Sequence, residues 1–551
     1  MNDPKLMREY RRWTEKVQDP ALLQELRSMD DAAIEDAFYR ELAFGTGGLR
    51  GTLGAGTNRM NIYVVAKASQ GLANFLGTGA SVVIGYDSRI NSDVFARTAA
   101  GVFAANGIKV HLWPVLLPVP TVSYAVRKLG ASAGAMITAS HNPSRYNGYK
   151  VYGPDGCQIT TEVAQAVLAQ INALDIFSDV RSLPFEQALE TGLVEYIDDS
   201  VLTAFIEEVK GQSVLFGDEI DRNVAIVYSP LNGTGLYPVT RVLEEAGFTN
   251  ITVVEEQRLP DGHFPTCPYP NPEIREAMEL GLRDCERTGA DLLLATDPDC
   301  DRCGIAVKGE GGYRLLSGNE VGLLLLDYIC AQRSRHGKMP ADPTFVKTIV
   351  TMDLAEKIAS NYGVKTVNVL TGFKFIGEVI GRMADERNYI CGFEESYGYL
   401  TGSYVRDKDG VNAAFMICEM FAFYRTRGIS LLEKLNELYA RYGFCLNTLH
   451  SYEFPGSSGM EKMAEIMRVF HSGLSEIGGE AVRRVEDYSL GLNGLPKSDV
   501  LKFYFDKGSV VVRPSGTEPK LKVYISVTEK NREAAAQAEK RIIARLSEYM
   551  Q

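Results

Sequence analysis

Three stretches of this chain share one pattern, in which a short β-branched strand runs into a loop rich in Gly, Ser or Asp and a helix-like segment follows. They are "SVVIGYDSR" from residue 81, "NVAIVYSPLNGTG" from residue 223 and "TFVKTIVTMDLAEKIA" from residue 344. Strands alternating with helices imply α/β layers, here as a unit used three times. The 551 residues are too many for one core. Breaks near residues 205, 318 and 450 divide the chain into α/β domains at 41–205, 206–318 and 319–450 and a smaller α+β domain at 451–551. Residues 1–40 form an extension in which Leu22, Leu23, Leu26 and Met29 recur at helical intervals among charges. In the tail, "VLKFYFDKGSVVVRPSGTEPKLKVYISV" offers strands around a loop, before a charged helix from about Asn531.

Composition removes several classes of partner. With 45% hydrophobic and 23% charged residues and a net charge of −12, the chain lacks the basic balance that nucleic acid or an anionic membrane rewards. A small anionic molecule remains open to it where cations gather locally. The start, "MNDPKLMREYRRWTEKV", has no apolar stretch of a secretory signal, and the apolar run "VGLLLLDYICA" is interrupted by Asp327. A cytoplasmic protein is expected. Nine scattered cysteines suit free thiols in a reducing compartment, and the lone Cys300–Cys303 spacing is weak evidence for zinc or redox chemistry.

The strongest local signal is "ADLLLATDPDCDR", an apolar strand that ends in Asp297, Asp299 and Asp301. Alternate residues of an extended chain share a side, so the three carboxylates are expected to converge. Their repulsion calls for a hard divalent cation such as Mg²⁺. An EF-hand is excluded because Arg302 and Lys308 stand where it needs Gly and Glu. A haloacid-dehalogenase-like phosphatase, with Asp297 as nucleophile, is the enzymatic rival.

Other loops suit phosphate and sugar. "VVVRPSGTEPKLKVY" brings Arg513, Ser515, Gly516 and Thr517 into one turn, combining backbone amides, hydroxyls and a guanidinium fork. "AFGTGGLRG" repeats the logic with Thr46 and Arg50. "GFEESYGYLTGSYVRDKDG" gathers Glu394, Glu395 and Ser396, and "TGFKFIG" carries Lys374. In "TASHNP", Ser140 is either a nucleophile or a hydroxyl that helps the loop turn before Pro143.

Taken in order, "TASHNP", "DPDCDR", "GFEES" and "RPSGTEP" resemble the phosphoserine, metal, sugar and phosphate loops of the α-D-phosphohexomutase superfamily, which includes phosphoglucomutases, phosphomannomutases and phosphopentomutases. The resemblance runs from about residue 40 to the end, and the "GTGGLRG" and "TGFKFIG" wording is most similar to the longer phosphoglucomutase and phosphopentomutase branch. It implies four domains, the first three being similar α/β units with mixed sheets around a central cleft. It also implies that Ser140 carries a phosphate and ligates Mg²⁺ beside Asp297, Asp299 and Asp301. Lys150 becomes a candidate acid or base. Arg50, His141 and Arg302 would line the reacting phosphate, and Lys374, Glu394, Ser396, Lys408, Arg513, Ser515, Gly516 and Thr517 the substrate.

Two positions depart from the family pattern. Many relatives carry histidine two residues after the sugar-loop serine, whereas Tyr397 and Gly398 follow Ser396 here, and Tyr404 stands where another branch has histidine. Lys408 is the candidate substitute. The implied reaction moves phosphate between C1 and C6 of a hexose through a bisphosphate, with glucose 1,6-bisphosphate as priming activator. Glucose is the first-choice sugar, with mannose or a pentose as alternatives, and a non-catalytic phosphosugar-binding protein is the rival of another class.

Overall fold

The computed structural model describes residues 4–45, 47–454, 459–515 and 520–550. Each of the three repeated stretches supplies an inner strand of its own sheet, Ser81–Tyr86, Ile226–Ser229 and Thr344–Thr348. Each strand has the same neighbours. On one side lies a parallel strand reached through a helix: Lys109–Leu112, Ile251–Val253 and Lys365–Val369 respectively. On the other side lies a second parallel strand: Ala133–Ile137, Leu292–Thr296 and Tyr389–Glu394. That second strand then turns straight back into an antiparallel one, Tyr146–Tyr152, Cys303–Gly309 or Gly398–Thr401.

The physical reason for this division is connection length. Parallel neighbours need a crossover, and the helices provide it, while an antiparallel neighbour needs only a short loop. Every residue of Leu292–Thr296 and Thr344–Thr348 is buried, as expected of strands covered on both faces. The three hairpin loops therefore leave equivalent ends of equivalent strands, and two of them are the loops carrying "TASHNP" and "DPDCDR".

The first sheet grows to seven strands by adding Gly48–Thr52 and Phe44–Gly45 at one edge and Val194–Tyr196 at the other. Gly48–Thr52 pairs with Tyr146–Tyr152, so Arg50 lies opposite Gly148 and Gly48 opposite Lys150. The extension folds as helices Pro4–Lys16, Pro20–Ser28 and Asp31–Phe38. Asp19 and Asp30 cap the second and third by accepting from Leu22 and Ala33 N–H. Leu26 is buried, and Leu22, Leu23 and Met29 pack at its margin. Trp13 ties the extension to the first unit, meeting Phe38, Tyr63 and Phe177 edge-on.

The fourth sheet is wholly antiparallel, in the order Phe444–Glu453, Lys520–Glu529, Gly508–Pro514, Leu501–Phe505 and Arg484–Asp487. Helix Arg532–Met550 closes the chain on it. Phe444–Glu453 pairs along its length with Lys520–Glu529, so this sheet begins ahead of the break expected at 450. Likewise, residue 205 lies inside helix Asp199–Lys210. All nine cysteines are buried free thiols. Among the described residues no helix is long and apolar enough to cross a membrane.

The fourth unit has an apolar core of its own. It joins the third through Tyr488, Val500, Val511 and Tyr524, which belong to the large apolar cluster, and through a charged contact. Asp353 receives Lys502 Nζ at 2.7 Å and Ser509 Oγ at 2.5 Å from the fourth sheet, with Lys347 Nζ at 3.5 Å from its own unit. Both lysines are buried. Burial works to raise the Asp353 pKa, yet Lys502 and Lys347 prevail and hold it below the ordinary carboxylate range. The contact is thus intact above that range and is lost as pH falls through the depressed value. Asp353→Asn should cost about 3–5 kcal/mol of docking, because the buried Lys502 ammonium loses its counter-charge, while Lys347 keeps Glu356 at 3.1 Å. Hydrogen exchange should accelerate in Leu501–Phe505 and Gly508–Pro514 and stay unchanged in Leu292–Thr296; equal protection in variant and parent would contradict the assignment.

Candidate active site

The hairpin loops of the first and second units meet. In the second unit the chain between Leu292–Thr296 and Cys303–Gly309 folds as a tight turn, with Cys300 at φ 50°. The carboxylates of Asp297, Asp299 and Asp301 do converge, with ligand atoms within 4.8 Å of one another and almost no solvent exposure. The turn, not strand alternation, is what brings them together. Asp297 Oδ1 accepts the N–H groups of Asp301 and Arg302, at 3.1 and 3.0 Å. Asp299 Oδ1 and Asp301 Oδ1 are buried with no hydrogen-bond partner. Cys300 and Cys303 sit beneath the turn, where burial raises both thiols.

Across from this turn, Ser140 adopts φ 53°, a conformation that costs a non-glycine residue on the order of 1–3 kcal/mol. Its N–H donates to Thr138 Oγ1 at 2.8 Å, and Thr138 Oγ1 donates to Asp299 Oδ2 at 3.1 Å. Ser140 Oγ lies 3.0 Å from Asp297 Oδ2 and 3.1 Å from His141 Nδ1. Asp297 therefore spends both oxygens on held contacts, which leaves it ill-placed as a nucleophile.

Two lysines face the carboxylates from different units. Lys150 Nζ, on the returning strand of the serine hairpin, lies 2.9 Å from Asp299 Oδ2 and 3.3 Å from Asp301 Oδ2. Lys408 Nζ, from the third unit, lies 2.9 Å from Asp301 Oδ2. Burial presses Lys150 toward its neutral amine, but Asp299 and Asp301 prevail and raise its pKa. Burial, then repulsion from Asp299 and Asp301, raises Asp297 far above the usual range; Asp299, also penalised by burial, is held low by Lys150. The donors are hard oxygens, two of them are unspent, and one carboxylate is pushed toward protonation. That set fits a divalent cation such as Mg²⁺.

The remaining predicted residues form the rim. Arg50 Nη1 donates to Asn142 Oδ1 at 3.0 Å, beside the serine. His141 stays neutral, its pKa pushed down to about 2 by burial and then by Arg302. Arg302 pairs with Glu273 and lies 3.9 Å from Asp301 Oδ1. In the third unit Glu394 Oε1 accepts from Gly372 N–H at 3.0 Å, two residues ahead of Lys374. Burial lifts Glu394 to about 7, against the pull of Lys408. Ser396 lies half-buried at the hairpin tip. A Cβ on Gly398 would stand 2.4 Å from Lys408 Cδ, so the lysine stem fills the space over that glycine.

Arg513 ends the strand Gly508–Pro514, and Ser515 N–H donates to Lys520 O at 2.7 Å. Lys522, opposite Arg513, has its pKa lowered by burial and by Arg513, while Glu395 and Glu273 oppose that fall. The Arg513 side of the fourth unit thus shares an electrostatic neighbourhood with the sugar loop and with the Glu273 that holds Arg302. Gly516 and Thr517, and Thr46 of the first Gly-rich loop, lie outside the described residues.

Four family models match this chain in series. They are phosphoglucomutase/phosphomannomutase α/β/α domain I at residues 41–176, domain II at 203–311, domain III at 317–442 and the C-terminal domain at 459–543. The chain belongs to the phosphoglucomutase/phosphomannomutase family. A phosphoglucomutase of Staphylococcus saprophyticus is 34% identical over 540 residues, covering 94% of this chain and 96% of the relative. One of Staphylococcus haemolyticus is 35% identical over 523 residues, covering 91% and 93%. Among solved structures, the phosphoglucomutase parafusin of Paramecium, in an open form, matches with TM-score 0.70 at 18% identity, covering 93% of this chain and 95% of that one. An Aspergillus fumigatus N-acetylphosphoglucosamine mutase variant in complex with glucose 1,6-bisphosphate matches with TM-score 0.53 at 14% identity, covering 99% of each. Likenesses at that level of identity speak for the fold.

One residue that the sequence reading passed over organises the serine loop of this family member. Arg89, in the stretch quoted above only as a strand signal, is 2% exposed. It donates to the backbone carbonyls of Pro143 and Tyr146 at 3.0 Å each, and to those of Ser140 and Asn142. Asp87 Oδ2 lies 3.5 Å from its Nε, and its guanidinium stacks 5.1 Å over the Phe264 ring. The available signal was an Asp-x-Arg pair at the end of a buried strand, since such charges must find partners inside. Arg89→Lys keeps the charge but not the fork. It should lower turnover about 100-fold with the sugar phosphate KM little changed, through misplacement of Ser140. Faster hydrogen exchange across residues 140–146 should accompany the loss; unchanged turnover with a lowered Tm would mean that Arg89 only supports the scaffold.

Proposed function

We propose that this chain is a phosphoglucomutase that interconverts glucose 1-phosphate and glucose 6-phosphate through phosphorylated Ser140 and glucose 1,6-bisphosphate. The observation that carries the reading is Ser140 Oγ, held 3.0 Å from Asp297 at the mouth of a buried three-carboxylate cluster. The full-length relatives named phosphoglucomutase support the choice of glucose, and the bisphosphate complex of the Aspergillus mutase supports the intermediate.

Phosphoryl transfer asks the protein mainly for positioning and charge neutralisation. Bound by Asp297, Asp299, Asp301 and the Ser140 oxygen, Mg²⁺ would supply the neutralisation that makes the serine a better leaving group. In the forward half, a sugar hydroxyl oxygen bonds to the phosphorus as the Ser140 Oγ–P bond breaks. The hydroxyl proton passes to Lys150 Nζ, where burial favours the amine once Asp299 and Asp301 are engaged elsewhere. In the return half, Ser140 Oγ bonds to the phosphorus of the other phosphate as its bond to the sugar oxygen breaks, and the freed sugar oxygen takes the proton back from Lys150 Nζ. Arg50 and His141 border the transferred phosphate. Arg513, Ser515, Gly516 and Thr517 hold the phosphate that is not reacting, while Lys374, Glu394 and Ser396 meet sugar hydroxyls. Lys408, lying over Gly398, stands in for the histidine that many relatives carry near this point.

Peptide mapping of the purified protein should find phosphate on Ser140, and Ser140→Ala should lose mutase turnover about 10⁴-fold or more while still binding sugar phosphate. Phosphate on Asp297, or turnover in the alanine variant, would overturn the reading. On one preparation, kcat/KM for glucose 1-phosphate should exceed those for the mannose and ribose 1-phosphates.

Arg513→Ala removes a charge-assisted hydrogen bond worth about 1.5–3 kcal/mol, so kcat/KM should fall roughly ten- to a hundredfold. The bisphosphate should also escape more often, stranding Ser140 unphosphorylated. The variant should then depend more steeply than the parent on added glucose 1,6-bisphosphate; equal dependence would put Arg513 outside the cleft.

A further inference from the structure

A second cleft of about 540 Å³ opens where helix Val119–Leu129 of the first unit, helix Asp199–Lys210 and the third unit come together. This size suits a small metabolite, and junctions between domains are favoured places for such sites. Its cations are Arg127, Lys128, Arg333 and Arg387, against Glu208 and Glu386. Glu386 is already spent on Arg406 and Arg127, and Arg387 is paired with Asp385 at 2.8 Å. Two cations are left over.

Arg333, in the last turn of helix Gly318–Arg335, has no carboxylate within ion-pair distance among the described residues. Its Nη1 makes one long bond to Lys338 O at 3.4 Å, and its Nε is buried without an acceptor. Burial lowers its pKa, against the nearby thiols of Cys391 and Cys330 and with no carboxylate among the opposing groups. Lys128 is exposed and likewise makes no ion pair among the described residues. A guanidinium withdrawn from water with donors to spare is suited to an anion's oxygens.

The cleft is also wired to the active site. Arg127 Nη1 donates to Ser403 O and Tyr404 O, both at 2.6 Å, and these residues line the cleft. Tyr404 OH donates to Asp409 Oδ2 at 2.6 Å, and between those two residues lies Lys408, on Asp301. An anion that draws Arg127 away from the two carbonyls loosens the segment that holds Lys408.

We propose that this cleft binds a small phosphorylated anion carrying two or more negative charges, between Arg333 and Lys128, and that occupancy slows turnover through residues 402–408. The binding claim does not depend on the reaction assigned above. The probe is inorganic pyrophosphate, titrated calorimetrically into the full chain in the presence of saturating glucose 1-phosphate. One site should be seen, with affinity weakened about tenfold or more in Arg333→Gln and in Lys128→Gln. At fixed free Mg²⁺, pyrophosphate should lower kcat at saturating substrate in the parent and not in Arg333→Gln, whose own basal turnover should match the parent's. Equal affinity in parent and variants would overturn the proposal, as would loss of binding on saturation with glucose 1-phosphate. Should Arg333→Gln fail to fold, Lys128→Gln decides alone, since that side chain is exposed; undiminished binding in it overturns the proposal.

Discussion

Three carboxylates share one buried six-residue turn, and the cleft is organised around keeping them there. Charges this close and this dry repel strongly unless cations or hydrogen-bond donors meet them. The turn itself supplies the N–H groups of Asp301 and Arg302, with the Arg302 guanidinium 3.9 Å from Asp301. The other partners are imported, Thr138, Ser140 and Lys150 from the first unit and Lys408 from the third. Losing any of them would leave charge stranded in the interior. The electrostatic demand of the second unit therefore also fixes how the first and third approach it.

The imports are possible because one device is used in each α/β unit. A parallel strand ends, turns back into an antiparallel partner and exposes its turn at the same edge. In the first unit the turn carries Ser140, in the second the aspartates and in the third Glu395 and Ser396. The device also sets the position of Lys150 and Arg50. Lys150 lies on the returning strand of the serine hairpin and Arg50 on the strand paired with it, so register alone brings them beside the serine.

This division explains what could be read in advance. The strand-to-loop grammar was legible because buried strands must be apolar and β-branched, and it marked the inner strand of each sheet. The aspartates were legible because an apolar strand ending in three charges has few explanations, although a turn with Cys300 at positive φ, not strand alternation, makes them converge. For Arg89 the Asp-x-Arg pair signalled a charge that must find partners inside but not its task, since those partners are mostly backbone carbonyls, which every residue offers and no spacing reveals. The role of Gly398 was hidden for a similar reason. Only the fold lays the Lys408 stem across it. The fourth sheet starts at Phe444, close to the break expected near 450, and its first strand finds its partner far along the chain, at Lys520–Glu529.

The fourth unit is attached through an apolar contact and a charged one. The fourth has a core of its own, and at its border with the third Tyr488, Val500, Val511 and Tyr524 join the large apolar cluster of the other units, beside the charged contact of Asp353 with Lys502, Ser509 and Lys347. An apolar face tolerates sliding, because burial is non-directional. A carboxylate shared between two buried lysines and a hydroxyl accepts one arrangement, because each donor must reach it at hydrogen-bond length. Such a joint suits the task proposed for the fourth unit, which is to hold Arg513 at a fixed place in the cleft. If a bisphosphate must turn over within the cleft and present either end to the serine, its two phosphate sites have to keep a constant separation. The charged joint at Asp353 adds that constancy to an apolar contact that alone would tolerate sliding.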